Sequence, residues 1–178
     1  MQIMDTYFKQ ENEDELCVKL PGVPEEMWAD GVDPKESWKK WKLIPSTVSE
    51  EDIADVENEL GIKFPNAMKC FLTTYFHFFD DPVGKHSSNK PFYAIKNAWN
   101  PVLVKAGYLP FTWDEEHYFI RCIDLANMPN EDKCPVCQIE HEVLFDYDEE
   151  SEINRSEIEE KMEMLADNFT TYLTDLLD

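Results

Sequence analysis

A chain of 178 residues, 43% hydrophobic and 13% aromatic, has the size and apolar content of one folded domain with room for an extension, which excludes intrinsic disorder. Thirty-eight acidic side chains against sixteen basic ones give a formal net charge of −22, a field that repels nucleic acid and draws in a basic partner. No apolar run approaches the ~20 residues of a membrane span, and the opening MQIMDTYFKQENEDEL lacks the basic and apolar regions of a secretory signal.

A cytoplasmic protein is therefore expected, with its five scattered cysteines held as reduced thiols. The charge is uneven. Residues 1–60 carry sixteen acidic against six basic side chains, 61–130 carry six against seven, and 131–178 carry sixteen against three.

Along the chain, residues 1–37 read as an N-terminal extension broken by Pro21, Gly22, Pro24, Gly31 and Pro34. Asp33-Pro34 is a good cap and first-turn pair, predicting a short helix over 34–42 that presents Trp38 and Trp41. Those tryptophans and Trp28 fit a core plug and a partner anchor equally well. Ser49 and Asp52 predict a capping box, Ile53, Val56 and Leu60 a helix face, and Gly61 its left-handed stop. Pro65 opens a second helix whose Met68, Phe71, Leu72, Tyr75, Phe76 and Phe79 share one face, with Asp80-Asp81-Pro82 ending it.

Strand patterns follow. Pro91–Lys96 is a short aromatic run, and Gly107–Trp113 and His117–Asp124 flank a turn at Asp114-Glu115-Glu116. Residues 125–137 read as a loop, and Ile139, Val143, Phe145 and Tyr147 as a further strand before the acidic loop 148–152. From Ser156, Ile158, Met162, Leu165, Phe169, Tyr172, Leu173 and Leu176 trace one unbroken helical stripe. The fold class is α+β, an antiparallel sheet flanked by helices in the order α-α-β-β-β-β-α.

Four strings carry a family resemblance: IPSTVSEEDIADVENELGIKFPNAMKCFLTTYF at 44–76, GYLPFTWDEEHYFIRCID at 107–124, VLFDYDEE at 143–150 and MLADNFTTYLTDLL at 164–177. They resemble the SUKH superfamily, which includes the yeast Smi/Knr cell-wall-synthesis regulators and many bacterial immunity proteins. The resemblance covers 38–178, the expected SUKH-like domain. Where many members have an Asn-Gly-Gly-like turn after the second helix, this chain has residues 77–82, His-Phe-Phe-Asp-Asp-Pro. The resemblance implies a protein that is not an enzyme and neutralises a partner, typically a toxin made alongside it.

Other chemistry is thinly supported. Cys134 and Cys137 have zinc-ligand spacing, but no second such pair exists, and two free thiols in a loop explain them better. Asp114-Glu115-Glu116-His117 and Glu140-His141-Glu142 set carboxylates beside histidines. In so acidic a chain, solvated carboxylates are the background reading and catalysis the rarer one. The aromatic stripe of the second helix reads as core packing before ligand lining. Dinucleotide, P-loop, GxSxG and HExxH motifs are absent.

The preferred reading has no cofactor, metal, nucleic acid or membrane. It is an acidic immunity protein that covers the cleft of a basic toxin, with a nuclease as the expected class. The expected contacts are Glu50, Glu51 and Asp55 of the first helix, the turn Asp114, Glu115 and Glu116, the loop Asp148, Glu149 and Glu150, and the anchors Trp113 and Tyr147. The alternatives are a scaffold or regulator of cell-wall assembly and, more weakly, a metal-binding enzyme using the CxxC and the His/Glu clusters.

Overall fold

The computed structural model describes residues 17–19, 22–79, 83–147, 150 and 152–177. Strands β1 (Cys17–Lys19) and β2 (Trp38–Lys40) pair antiparallel, and β3 (Ile44–Pro45) follows. The short helix expected over 34–42 is therefore a strand, and Trp41 bridges Trp28 instead of lying on a helix face. Trp41 is buried with an edge-on contact to Phe79 at 5.0 Å, so it plugs core, while Trp28 donates its indole N–H to the Val23 carbonyl.

Helix α1 (Glu50–Leu60) forms as its sequence predicts. The Ser49 hydroxyl accepts from the Asp52 N–H, the Asp52 carboxylate accepts from the Ser49 N–H at 2.8 Å, and Gly61 closes the helix at φ 70°. Ile53, Val56 and Leu60 are buried, and so is Glu57. Burial works against the Glu57 charge, but Lys63 and Lys69 each approach it at 2.8 Å and the Phe64 N–H donates at 2.8 Å. Together these donors hold the carboxyl below its usual range.

Helix α2 (Asn66–Thr74) has no cap from its own side chains. Glu131 supplies one from the far loop, accepting from the Asn66 and Ala67 N–H groups at 2.7 and 3.1 Å. The helix stops at Thr74, because Tyr75 turns extended and β4 (Tyr75–Phe76) pairs with β3. Tyr75, Phe76 and Phe79 thus leave the helical stripe on which they were expected; Asp80, Asp81 and Pro82 lie outside the described residues.

The run Pro91–Lys96 is not a strand. Phe92, Ile95 and Ala98 are buried at a spacing of three: Ile95 of α3 (Tyr93–Ala98) joins the capping Phe92 in one core, and Ala98 joins the opposite one. Helix α4 (Pro101–Lys105) follows, with the Asn100 side chain accepting from the Val102 and Leu103 N–H groups. Strands β5 (Tyr108–Trp113), β6 (Phe119–Asp124) and β7 (Val136–Glu140) pair antiparallel, with a register shift between Pro110 and Thr112.

Two later elements differ from expectation. Val143, Phe145 and Tyr147 lie in and just after a 3-10 turn, His141–Asp146, because the chain leaves the sheet at Glu140. The single terminal helix is three elements: α5 (Arg155–Glu159), β8 (Glu163–Ala166) and α6 (Phe169–Leu177). The open edge of β7 takes up residues 163–166 as the fourth strand, and backbone pairing there outweighs the helical stripe. Asn168 restarts the helix by accepting from the Thr171 N–H at 2.9 Å.

The α+β class holds. The four-stranded sheet, in the order β5-β6-β7-β8, is covered on both faces. Leu109, Phe111, Ile123 and Val136 pack under α1, α2 and α6; Tyr108, Ile120, Cys122, Cys137 and Ile139 pack under α4, α5 and the 3-10 turn. A third cluster joins Val23 and Met27 to Trp41, Phe76 and Phe78, so chain before residue 34 contributes buried side chains.

His77 and His86 sit among these aromatics. Neither ring nitrogen of His77 has a hydrogen-bond partner among the described residues; His86 bonds the Leu72 carbonyl at 2.9 Å. Burial pushes His86 down to about 4 and His77 well below the usual histidine range, the neighbouring His86 adding to the latter. The unfolded chain takes up protons on both rings as pH falls through about 6.5, but the folded chain resists until far lower. The stability contributed by the neutral rings is full above that pH and is lost as pH falls toward 4. Urea unfolding at pH 7.5 and 5.0 should differ by about 2 kcal/mol for each histidine. His77→Phe should remove about half of that difference; an unchanged difference would show that the buried ring does not control it.

Candidate functional site

The β5–β6 hairpin ends in a built turn. The Asp114 carboxylate accepts from the Tyr118 and Phe119 N–H groups at 2.6 and 2.7 Å, and the Asp114 carbonyl accepts from the His117 N–H at 3.1 Å. His117 takes a left-handed φ of 56° to close it. Glu115, Glu116, His117 and Tyr118 are exposed around this tip. Asp114, expected as a partner contact, first of all holds the loop that presents its neighbours.

Beside the tip lies a cleft of about 310 Å³, walled by Tyr93, Ala94 and Asn97 of α3 and by Thr112, Trp113 and Asp114. Trp113 is half-buried and donates its indole N–H to the Asn97 carbonyl at 3.1 Å, which fixes the ring as a wall. Gly84 makes the floor. It has φ +75°, and a Cβ there would stand 2.4 Å from the Ala94 Cβ and 2.7 Å from the Thr112 Oγ1, so only glycine lets this loop approach.

The end of β7 adjoins the same tip. The His141 backbone N–H donates to the Tyr118 carbonyl at 3.0 Å and its Nδ1 lies 3.1 Å from the same oxygen. A carbonyl only accepts, so Nδ1 carries the proton. The His141 ring meets Trp113 at 5.4 Å, Phe145 at 5.5 Å and Tyr118 at 6.2 Å. Phe145 is 75% exposed and Tyr118 39% exposed. The Tyr118 hydroxyl donates to Glu140, and that bond, with the charges of Glu140 and Glu142, raises its pKa. The sequence supplied Glu140-His141-Glu142 as a motif, but only the hairpin register brings Tyr118 and Trp113 to it.

The other expected contacts are spread out. Glu50, Glu51 and Asp55 are exposed on α1, whose far end meets α3 through Glu59 and Lys96 at 2.6 Å. Tyr147 is half-buried against the sheet face shared with Trp113, with the Lys161 ammonium 5.3 Å over its ring. Glu150 is exposed; Asp148 and Glu149 lie outside the described residues.

Cys134 and Cys137 do not converge. Cys134 belongs to the core under α1, α2 and α6, whereas Cys137 belongs to the opposite one, level with Cys122 across the β6–β7 ladder. Burial raises all three thiols. Among the described residues no group of three or more His, Cys, Asp and Glu side chains is arranged to hold a metal ion, and no helix is long and apolar enough to cross a membrane.

Helices on both faces of an antiparallel four-stranded sheet, with an acidic, aromatic hairpin end, make this an α+β domain. The sequence model of the SMI1 / KNR4 family (SUKH-1) matches residues 47–175, and the chain belongs to that family. No curated protein matches the chain.

Two outcomes follow from this geometry. Asp114→Ala removes an acceptor of two backbone N–H groups and should cost about 1–3 kcal/mol, read by chemical denaturation. A loss below the experimental error would mean the turn does not need it. Native mass spectrometry of the purified chain should give the mass without bound zinc. A stoichiometric zinc lost on Cys134→Ser would restore the metal reading.

Proposed function

We propose that this chain is an immunity protein, not an enzyme, that binds and neutralises a cognate basic toxin domain by occluding its active cleft, with a nuclease as the expected toxin class. The observation that carries this reading is the net charge of −22 on a member of a family that includes immunity proteins. A nuclease must hold phosphates with positive surface, and a strongly acidic inhibitor complements that surface directly. The chain would act in the cytoplasm, where such a toxin meets nucleic acid.

In this reading Glu115 and Glu116 at the hairpin tip, Glu50, Glu51 and Asp55 on α1, and the acidic loop Asp148, Glu149 and Glu150 form a charged rim. Trp113 and Tyr147 are the apolar anchors. Rim carboxylates chiefly raise the association rate, and a half-buried anchor chiefly slows dissociation.

Co-expression with a toxic nuclease domain, sought first among the products of neighbouring genes, should restore growth and yield a stoichiometric complex. Asp148→Lys with Glu149→Lys and Glu150→Lys should slow association about tenfold at low salt, with a flatter salt dependence. Glu115→Lys with Glu116→Lys should do the same while leaving the Asp114 turn intact. Unchanged association rates in both variants would defeat the acidic-rim reading, and failure to restore growth would defeat the immunity reading itself.

A further inference from the structure

Tyr118 and Phe145 lie outside the three core clusters, on either side of the half-buried His141 ring. Phe145 points most of its ring into solvent, and Tyr118 exposes one of its own beside the Glu140 carboxylate. Large exposed rings gathered at one end of a sheet mark a contact surface more often than chance burial would leave them there. Their surroundings select what they contact. Glu140 and Glu142 both act on the Tyr118 hydroxyl, and Asp146, next to Phe145 in the chain, is exposed. In the neutral His141 ring Nε2 is an acceptor, since Nδ1 is committed as a donor to the Tyr118 carbonyl.

Aromatic faces among carboxylates and a ring acceptor suit a planar cation that donates along its edge and stacks on its face. That is a guanidinium rather than an ammonium, which is compact, strongly hydrated and a point charge. The same chain shows the arrangement in its interior. The Arg155 guanidinium lies 4.5 Å over the Tyr108 ring and takes both Asp124 oxygens at 2.7 Å. A second copy of this chain is a poor occupant, because it carries only two arginines, one of them Arg155, and two surfaces of net charge −22 repel.

We propose that Tyr118, His141 and Phe145, with Glu140 and Glu142, form a receptor for an arginine side chain of a partner protein, a reading that rests on the basic-partner function above and names the residue it presents. The guanidinium lies against the Phe145 and Tyr118 rings and donates to the two glutamates. No bond is made or broken, and the contact gives specificity for arginine over lysine at a surface where overall charge alone would not distinguish them.

The test uses the full chain and short probes. Acetyl-Gly-Arg-Gly-amide and its lysine counterpart are titrated at low salt, followed by amide and aromatic NMR shifts. The arginine probe should give saturable shifts concentrated at Tyr118, Glu140, His141, Glu142 and Phe145, with the lysine probe at least about threefold weaker. Phe145→Ala, safe for folding at this exposure, should weaken the arginine probe about threefold to fivefold, the size of an exposed cation–π contact. Glu142→Gln should weaken it further and reduce its salt dependence.

Shifts spread equally over Glu50, Glu51 and Asp55, equal affinity for the two probes, or no effect of Phe145→Ala would each overturn the proposal. The probes contain no toxin. A localised arginine response with no growth rescue would therefore leave this site standing and remove the immunity reading, and rescue without a localised response would do the reverse.

Discussion

Burial of the four-stranded sheet on both faces is the constraint on which the rest of this structure depends. Tyr108 and Leu109, Cys122 and Ile123, and Val136 and Cys137 are chain neighbours that enter opposite cores, so Leu109 and Ile123 serve one set of helices while Tyr108, Ile120 and Cys122 serve the opposite set. A strand so placed cannot slip by one residue without exchanging its two faces. The register then fixes where everything outside the sheet must sit: Trp113 at one end of β5, His141 at the matching end of β7, and the Asp114 turn between β5 and β6.

Two charged groups that reach into the cores, Arg155 and Glu57, are each met by several partners. Arg155 carries the link between α5 and the sheet through Asp124, the Ala106 carbonyl and the Tyr108 ring. Glu57 carries the link between the first two helices through two lysines and a backbone N–H. Losing the donors around the buried Glu57 would leave its carboxylate uncompensated, which costs more than the pairs themselves contribute. Most of the other described carboxylates lie at the surface, where they set the field around the hairpin end without straining the fold.

That separation explains how so acidic a chain folds. The middle third is nearly neutral and supplies most of the sheet and the second helix, so self-repulsion is kept out of the core. At the hairpin end, apolar rings and carboxylates alternate over a short distance. Under the proposed function, the long-range field there would bring a basic partner in and the rings would distinguish how it fits.

The local signals were legible in the sequence. The capping box of Ser49 and Asp52, the stop at Gly61, the hairpin about Asp114 and the α+β class with its family all rest on contacts between near neighbours or on recognisable strings. The tertiary structure alone decided what depends on distant partners. Glu131 caps α2 across 65 positions, and the free edge of β7 converts residues 163–166 from helix to strand. Cys134 and Cys137 have ligand spacing but fall on opposite faces of the sheet. The aromatic site was half visible: Glu140, His141 and Glu142 stood together in the chain, but Tyr118 joined them only through a register that pattern could not supply. Periodicity reports which side chains share a face, and it carries no information about which far element will pair with that face.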